Sequence, residues 1–219
     1  MMQKTKSIKP VYISGIGTGI GKTVVAAIVT EALNGIYWKP VQAGSSEETD
    51  SEWVQKVLCN PSRIAKETYK LKMPASPHLA ARKENLEISL HKIAAAYKEI
   101  SKINNCPVII EGAGGLLAPL NENEFSIDLA KKLKATIILV SCNYLGSINH
   151  SLMTAQICAA KKIPVAGWIF NKQYLHYEDE IAGWSGFDII AKIPERKNIT
   201  NKFIREQANA LREKLISCL

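Results

Sequence analysis

Nowhere in its 219 residues does the chain hold an uninterrupted apolar run near the roughly 20 residues that a membrane-spanning helix needs. That excludes a helical membrane protein. Aromatic residues are scarce, at 7%, and no basic face is interleaved with them, so nucleic acid is not an expected partner despite a net charge of +8. The five cysteines, Cys59, Cys106, Cys142, Cys158 and Cys218, are odd in number and scattered, with no Cys-x-x-Cys pair and no histidine at zinc-ligand spacing. They read as buried reduced thiols rather than as a disulfide framework or a metal site. The segment before Pro10 is basic but lacks an apolar stretch, so no secretory signal is expected and the expected compartment is the cytoplasm. Internal repeats and low-complexity linkers are missing too, and one domain is expected across residues 1–219.

What is present is ordinary globular composition, 47% apolar and 22% charged. Val11 to Ser14, Tyr37 to Val41, Val108 to Glu111, Thr136 to Ser141 and Val165 to Phe170 are continuous apolar or β-branched runs, as expected for strands buried on both faces. Helical patterns cover Thr23 to Leu33, Leu90 to Ile103, Ser126 to Leu133, Ser147 to Lys161 and the terminal stretch Asn201 to Leu219. In that last stretch Phe203, Ile204, Ala208, Leu211, Leu215 and Ile216 fall at helical spacing, which fits an amphipathic membrane anchor but more readily a helix docked on the core. Strands alternating with helices predict an α/β fold, a three-layer sandwich around a mostly parallel central sheet. The stretch from Gly44 to Ala81, polar and broken by prolines, reads as an excursion over the sheet's edge. Two lysine clusters, Lys131-Lys132-Lys134 and Lys161-Lys162, fall at predicted helix C-termini, where cations complement the helix dipole.

The strongest chemical signal is the first strand running into Gly15, Gly17, Gly19 and Gly21, with Lys22-Thr23 opening a helix. Glycines let backbone N–H groups turn toward phosphate oxygens, and the helix N-terminus adds positive potential. In such a loop the lysine reaches the β- and γ-phosphates and the Thr23 hydroxyl ligates Mg²⁺. The reading is a P-loop for a nucleoside triphosphate of the P-loop NTPase-like fold. Gly15 and Gly21 are separated by five residues rather than the common four, and Gly17 stands where partitioning and septum-site ATPases carry a second lysine. A switch ATPase of that kind is the alternative reading, and Gly17 speaks against it.

A magnesium–phosphate site needs carboxylates. Glu111 closes an apolar strand and precedes Gly112-Ala113-Gly114-Gly115, placing it at a strand's C-terminal edge, where open α/β sheets bind ligands. Asp50, in a run of acidic and hydroxyl residues, serves either as a ligand or as part of a solvated loop. Lys39, at the end of the second strand, either meets a transferred phosphate or merely snorkels. The helix start at Gly146-Ser147 either holds a carboxylate or is ordinarily capped by Ser147. His78 and His150 could line a site, but solvated or satisfied histidines are the plainer reading.

Taken together, the phosphate loop, Trp38 to Gly44 (Trp-Lys-Pro-Val-Gln-Ala-Gly), Asp50, Ser76-Pro77-His78, Glu111 to Gly115, Leu145 to His150 (Leu-Gly-Ser-Ile-Asn-His), Thr154-Ala155-Gln156, Ala166 to Asn171 and Ile193-Pro194 resemble, in order and spacing, dethiobiotin synthetase. That family is an ATP-dependent cyclo-ligase of biotin synthesis. The resemblance implies carboxylation of 7,8-diaminononanoate by CO₂, phosphorylation of the carbamate by ATP with Mg²⁺, and ring closure. It implies Thr23, Asp50 and Glu111 as magnesium ligands, Lys22 and Lys39 around the transferred phosphoryl group, and Thr18 near the substrate. It implies nucleotide contacts from Gly19, Ile20, Gly21, Val24, Gly112, Ala113 and Gly114, and a base-binding wall from Asn171, Pro194, Glu195 and Arg196. Ala43 and the helix start Gly146, Ser147, Ile148 and Asn149 fall at substrate positions, the latter reaching a neighbouring subunit's substrate, which implies a homodimer. Two departures stand out: Ala43 replaces the usual Ser or Thr, and the stretch from Asn171 to Ile193 is short.

Overall fold

The computed structural model describes residues 9–46, 48–103, 105–171 and 175–219. The strands are β1 (Val11–Gly15), β2 (Ile36–Trp38), β3 (Val41–Ala43), β4 (Ile64–Ala65), β5 (Tyr69–Leu71), β6 (Val108–Gly115), β7 (Thr136–Cys142), β8 (Val165–Asn171) and β9 (Ile189–Ile193). The helices are α1 (Lys22–Ala32), α2 (Asp50–Val57), α3 (Pro77–Lys83), α4 (Leu90–Ile103), α5 (Ser126–Lys132), α6 (Ser147–Ala160), α7 (Glu178–Ser185) and α8 (Asn201–Cys218). Among the described residues none of these helices is long and apolar enough to cross a membrane.

Seven strands form one sheet in the order β4-β2-β6-β1-β7-β8-β9, and every pairing in it is parallel. The apolar runs explain this arrangement. β1 and β7 are buried along their whole length, which only a sheet covered on both faces permits. Successive residues then serve opposite faces. Tyr12 and Ile110 join a core with Trp38, Leu90, Ile127, Trp168 and Phe170 under α3 to α7. Ile13 and Ile109 join a second core with Ile28, Val29, Val54, Ile204 and Leu211 under α1, α2 and α8. Each fully buried aliphatic side chain contributes about 1.5–3 kcal/mol by leaving water.

The expected strand from Tyr37 to Val41 is instead two strands in different sheets. β2 stays between β4 and β6, while β3 pairs with β5 in a separate two-stranded parallel sheet. Pro40 causes the break, because it has no N–H to give a ladder. Its carbonyl instead accepts from the N–H groups of Thr68 and Tyr69. Lys39 is thereby left between two sheets. The excursion from Gly44 to Ala81 holds α2, β4, β5 and the start of α3, and its β4 is the edge strand of the seven-stranded sheet. The terminal helix docks as expected through Phe203, Ile204, Ala208, Leu211 and Leu215, but Ile216 faces solvent, 60% exposed. The cysteines also depart from expectation: all five are described and none forms a disulfide, yet only Cys142 and Cys158 are buried, and Cys59 is exposed.

Candidate active site

The C-terminal ends of β1, β2 and β6 and the start of α2 converge on a cavity of about 1000 Å³. Its walls include the glycine loop, Lys22, Thr23, Lys39, Ala43, Asp50, Glu111 and the turn after β6. Gly21 is the N-cap of α1 at φ 88, a left-handed conformation that favours glycine. A side chain there would also strike the Asn171 amide, so the loop and the end of β8 are in close contact. Thr18 and Gly19 are exposed at the loop's tip, Ile20 is buried beneath it, and Val24 lines the cavity.

Glu111 does not close its strand as expected. β6 continues to Gly115, and Glu111 pairs across from Ile13 inside the sheet, 1% exposed. The glycines after it make this possible, since Gly112 lies against the Tyr12 ring and Gly115 against the backbone of Gly15, where a Cβ would crowd both. A carboxylate so buried needs partners. Tyr37 donates to its Oε2 at 2.7 Å, while Lys39 Nζ and the Thr23 hydroxyl each lie 3.0 Å from its Oε1. Asp50 closes the group, with Lys39 Nζ 2.5 Å from Oδ2 and the Thr23 hydroxyl 2.8 Å from Oδ1.

Asp50 is held there by local chemistry that a sequence can show. Thr49 and Glu52 form a reciprocal capping box, which makes Asp50 the first residue of α2. Its N–H donates to Gln42 Oε1. Thr49-x-x-Glu52 was thus the signal that separates Asp50 from a loose acidic loop. Tyr37 carried no such signal, because a tyrosine inside an apolar run reads as core.

Charge in this cluster is strongly coupled. Burial disfavours the Lys39 ammonium, but Glu111 and Asp50 together outweigh it and raise its pKa. Burial also opposes ionisation of Asp50, and the Lys39 charge overcomes it, lowering that carboxyl below its ordinary range. Burial lowers Lys22 to about 8, with Glu111 pulling the other way. Lys22 Nζ meanwhile donates to the Gly17 carbonyl at 2.6 Å. Tyr37 is pushed well up by burial and by the Glu111 charge.

Among the described residues no group of three His, Cys, Asp or Glu side chains gathers as a full metal cage. A hydroxyl and two carboxylates do gather, at Thr23, Asp50 and Glu111. Hard oxygen donors in that small number fit a Mg²⁺ ion that keeps water and phosphate oxygens as its other ligands.

A sequence profile for an AAA domain matches residues 9–202. The ATP-dependent dethiobiotin synthetase of Cytophaga hutchinsonii is 42% identical over 203 residues, spanning 92% of this chain and 96% of that protein. The enzyme of the same name from Christiangramia forsetii is 37% identical over 209 residues, 94% of this chain and 98% of that one. The chain belongs to the dethiobiotin synthetase family. It is therefore a ligase-type enzyme by family. Among solved structures, a ParA family ATPase from Chlorobium tepidum covers 97% of this chain at a TM-score of 0.57 and 13% identity, with 98% of its own chain matched. The MinD cell division protein of Aquifex aeolicus covers 94% at 0.57 and 16% identity, with 97% of its own chain matched. At such identities the likeness shows the P-loop fold alone.

The positions implied by membership in the dethiobiotin synthetase family fall unevenly around the cavity. Ala43, Ala113 and Gly114 line it, while Gly112 is buried behind it. Asn171 ends β8, buried, its amide 3.4 Å from the Ile20 carbonyl. Pro194, Glu195 and Arg196 follow β9 and are exposed. Gly146, Ser147, Ile148 and Asn149 are absent from the walls, although His150, Met153, Thr154 and Ile157 of the same helix contribute to them. His78 is not a wall residue. The cap of α6 is Gly146 at φ 101 rather than Ser147. The Ser147 hydroxyl accepts from the Tyr144 N–H and meets the Tyr177 hydroxyl at 2.7 Å, which ties the helix start to the segment before α7.

Proposed function

We propose that this chain catalyses the ATP- and Mg²⁺-dependent carboxylation and ring closure of 7,8-diaminononanoate (7,8-diaminopelargonate) with CO₂, giving dethiobiotin, ADP and phosphate, as a single-domain cytoplasmic enzyme that works as a homodimer. The observation that carries this reading is the convergence of Lys22, Thr23, Lys39, Asp50 and Glu111 on one cavity, in a chain 42% identical to an ATP-dependent dethiobiotin synthetase.

The chemistry asks little covalent work of the protein. One amine of the diamine adds to CO₂ and loses a proton, giving a carbamate. A carbamate oxygen attacks the γ-phosphorus and ADP departs. The second amine then attacks the carbonyl carbon of the mixed anhydride, phosphate leaves, and the ring closes. What remains is positioning and charge stabilisation. The loop amides and Lys22 cradle the phosphates, and the Lys39 ammonium stabilises charge that builds on the transferred group. Thr23, Asp50 and Glu111 would hold Mg²⁺, which when bound neutralises charge on the β- and γ-phosphate oxygens. Asn171 and the segment Pro194-Glu195-Arg196 form the base-binding wall, and Gly146 to Asn149 receive the substrate carboxylate of the neighbouring subunit.

Purified chain supplied with Mg-ATP, bicarbonate and 7,8-diaminononanoate is expected to release phosphate in a diamine-dependent way and to form a product of dethiobiotin mass. Phosphate release that is absent, or indifferent to the diamine, would remove the assignment.

A further inference from the structure

The position where family chemistry wants a metal already faces a cation from the chain itself. Lys39 Nζ lies 2.5 Å from Asp50 Oδ2 and 3.0 Å from Glu111 Oε1, and the lysine is 7% exposed. The Thr23 hydroxyl sits between Asp50 Oδ1 and Glu111 Oε1 and has one proton for both. Tyr37 fixes the remaining oxygen, Glu111 Oε2, from a fully buried position. Both carboxylates are therefore satisfied within the protein, and their charge is partly neutralised by the one ammonium.

We propose that Lys39 is a placeholder cation: without nucleotide its ammonium occupies the Asp50–Glu111 pair and keeps divalent ions off it, and phosphates of the arriving nucleotide draw it away. The inference rests on the assignment of Asp50 and Glu111 as metal ligands. Glu111 is buried while the Asp50 side chain is 32% exposed, and two carboxylates brought together with one of them out of water are costly unless a cation accompanies them. A bare pair would recruit free Mg²⁺ or be protonated. With Lys39 in place it does neither, because an ammonium and a divalent ion repel each other and compete for the same oxygens. The lysine is built for release. It ends one sheet and Pro40 sends the chain to another, so its backbone is anchored between β2 and β3. Its head rides on a flexible four-carbon stem. Lys22 is parked in a comparable way, on the Gly17 carbonyl of the phosphate loop. Triphosphate would thus release two ammonium groups, one from a carbonyl and one from the carboxylates, and the metal would enter with the nucleotide rather than ahead of it. A purely structural ion pair makes the opposite forecast, since its loss would loosen the site and weaken metal binding in every state.

The test is Mn²⁺ binding to the full chain, read by electron paramagnetic resonance of the free ion, with and without a non-hydrolysable ATP analogue. Without nucleotide, Lys39→Met is expected to bind Mn²⁺ about tenfold or more tightly than the wild type, and Lys39→Arg, which keeps the charge, to behave as the wild type. Lys39→Gln serves as a second neutral variant should the methionine variant fold poorly. With the analogue bound, the advantage of the neutral variants should shrink to about twofold or less. Equal nucleotide-free affinity in the wild type and the neutral variants overturns the proposal, as does an advantage that persists undiminished with the analogue. Adding Asp50→Asn to Lys39→Met should abolish the gain. If the gain survives, the ligand assignment of Asp50 is what fails.

Discussion

Lys39 and Lys22 are both buried ammonium groups, yet their surroundings push them in opposite directions, and two experiments follow from the contrast. Lys39 is sustained by Glu111 and Asp50, which together overcome its burial. Lys39→Ala is expected to lower turnover by about a hundredfold, the size of effect found when one preorganised charge is removed from a transition state. Nucleotide affinity, which the proposed mechanism assigns to the loop amides and Lys22, should change by less than about threefold. Steady-state kinetics beside calorimetry with the ATP analogue measures both, and unchanged turnover would return Lys39 to a structural role. Lys22 has weaker support, and burial brings it down to about 8 from an ordinary 10.5. Between those values the unfolded chain binds more protons than the folded one, so stability rises with pH there, and the cost of burying the charge is fully present below about 8. In nucleotide-free protein, urea unfolding of the wild type should gain on Lys22→Met by roughly 1–2 kcal/mol between pH 8 and about 10. A parallel pair of stability curves would show that Lys22 is solvated in the free chain. The thiols divide as sharply. Burial pushes Cys158 up to about 12, so at pH 8 an alkylating reagent should leave it unmodified while labelling exposed Cys59, as mass spectrometry can check.

At the scale of elements, α8 offers a direct comparison between two apolar residues of one helix. Leu211 is buried against the β-sheet face that also holds α1, whereas Ile216 is mostly exposed. Leu211→Ala should cost about 2–4 kcal/mol of unfolding free energy through lost transfer energy and a cavity, and Ile216→Ala less than about 0.5 kcal/mol. Equal effects would mean that the helix is rotated from its described docking. Ile216 also shows what periodicity can and cannot say. A helical stripe of six apolar positions was legible, but Leu215 in the same last turn is fully buried, and Ile216, about 100° further round the helix, points away from the docked face. The buried strands β1, β7 and β8 were legible for the complementary reason, that burial on both faces leaves a run with no polar interruption. The split between β2 and β3 was not, because Val41 prolongs the apolar run while the pairing partner changes, and only the missing N–H of Pro40 marked the place. β9, short and carrying Lys192 in its Ile-Ile-Ala-Lys-Ile run, resembles no buried strand and is recruited by its neighbour β8. Among the cavity walls, the loop, Lys22 and Thr23 were readable because a glycine-rich turn running from a strand into a helix is a local pattern. The Tyr37–Glu111 bond joins residues 74 positions apart and had no local trace.

For the whole molecule, the decisive matter is where a site begins and ends. The cavity of one chain takes in His150, Met153, Thr154 and Ile157 but not Gly146 to Asn149, one turn earlier on α6. Met153 and Leu117 on its walls are each 52% exposed, and Leu145, beside the helix cap, is wholly exposed. Exposed apolar side chains on and near a cavity's walls are the kind of surface that a partner covers. In the proposed homodimer, each substrate is phosphorylated by one chain and held at its carboxylate by the α6 start of the other, across an isologous interface. The arrangement can be tested without knowing the interface in detail. Lys39→Ala removes a charge from the phosphoryl side of a site, and Asn149→Asp places a repelling carboxylate on the carboxylate side. Each variant alone should be nearly inactive. In a mixed dimer both defects fall into one site and leave the other intact, so equal co-expression should restore about a quarter of wild-type activity per chain, because random pairing puts half the chains into mixed dimers. Mixed dimers isolated through two different tags should reach about half. If those purified dimers are as inactive as their parents, each chain completes its own site, and if the wild type sediments as a monomer at assay concentration, the shared site is wrong from the start.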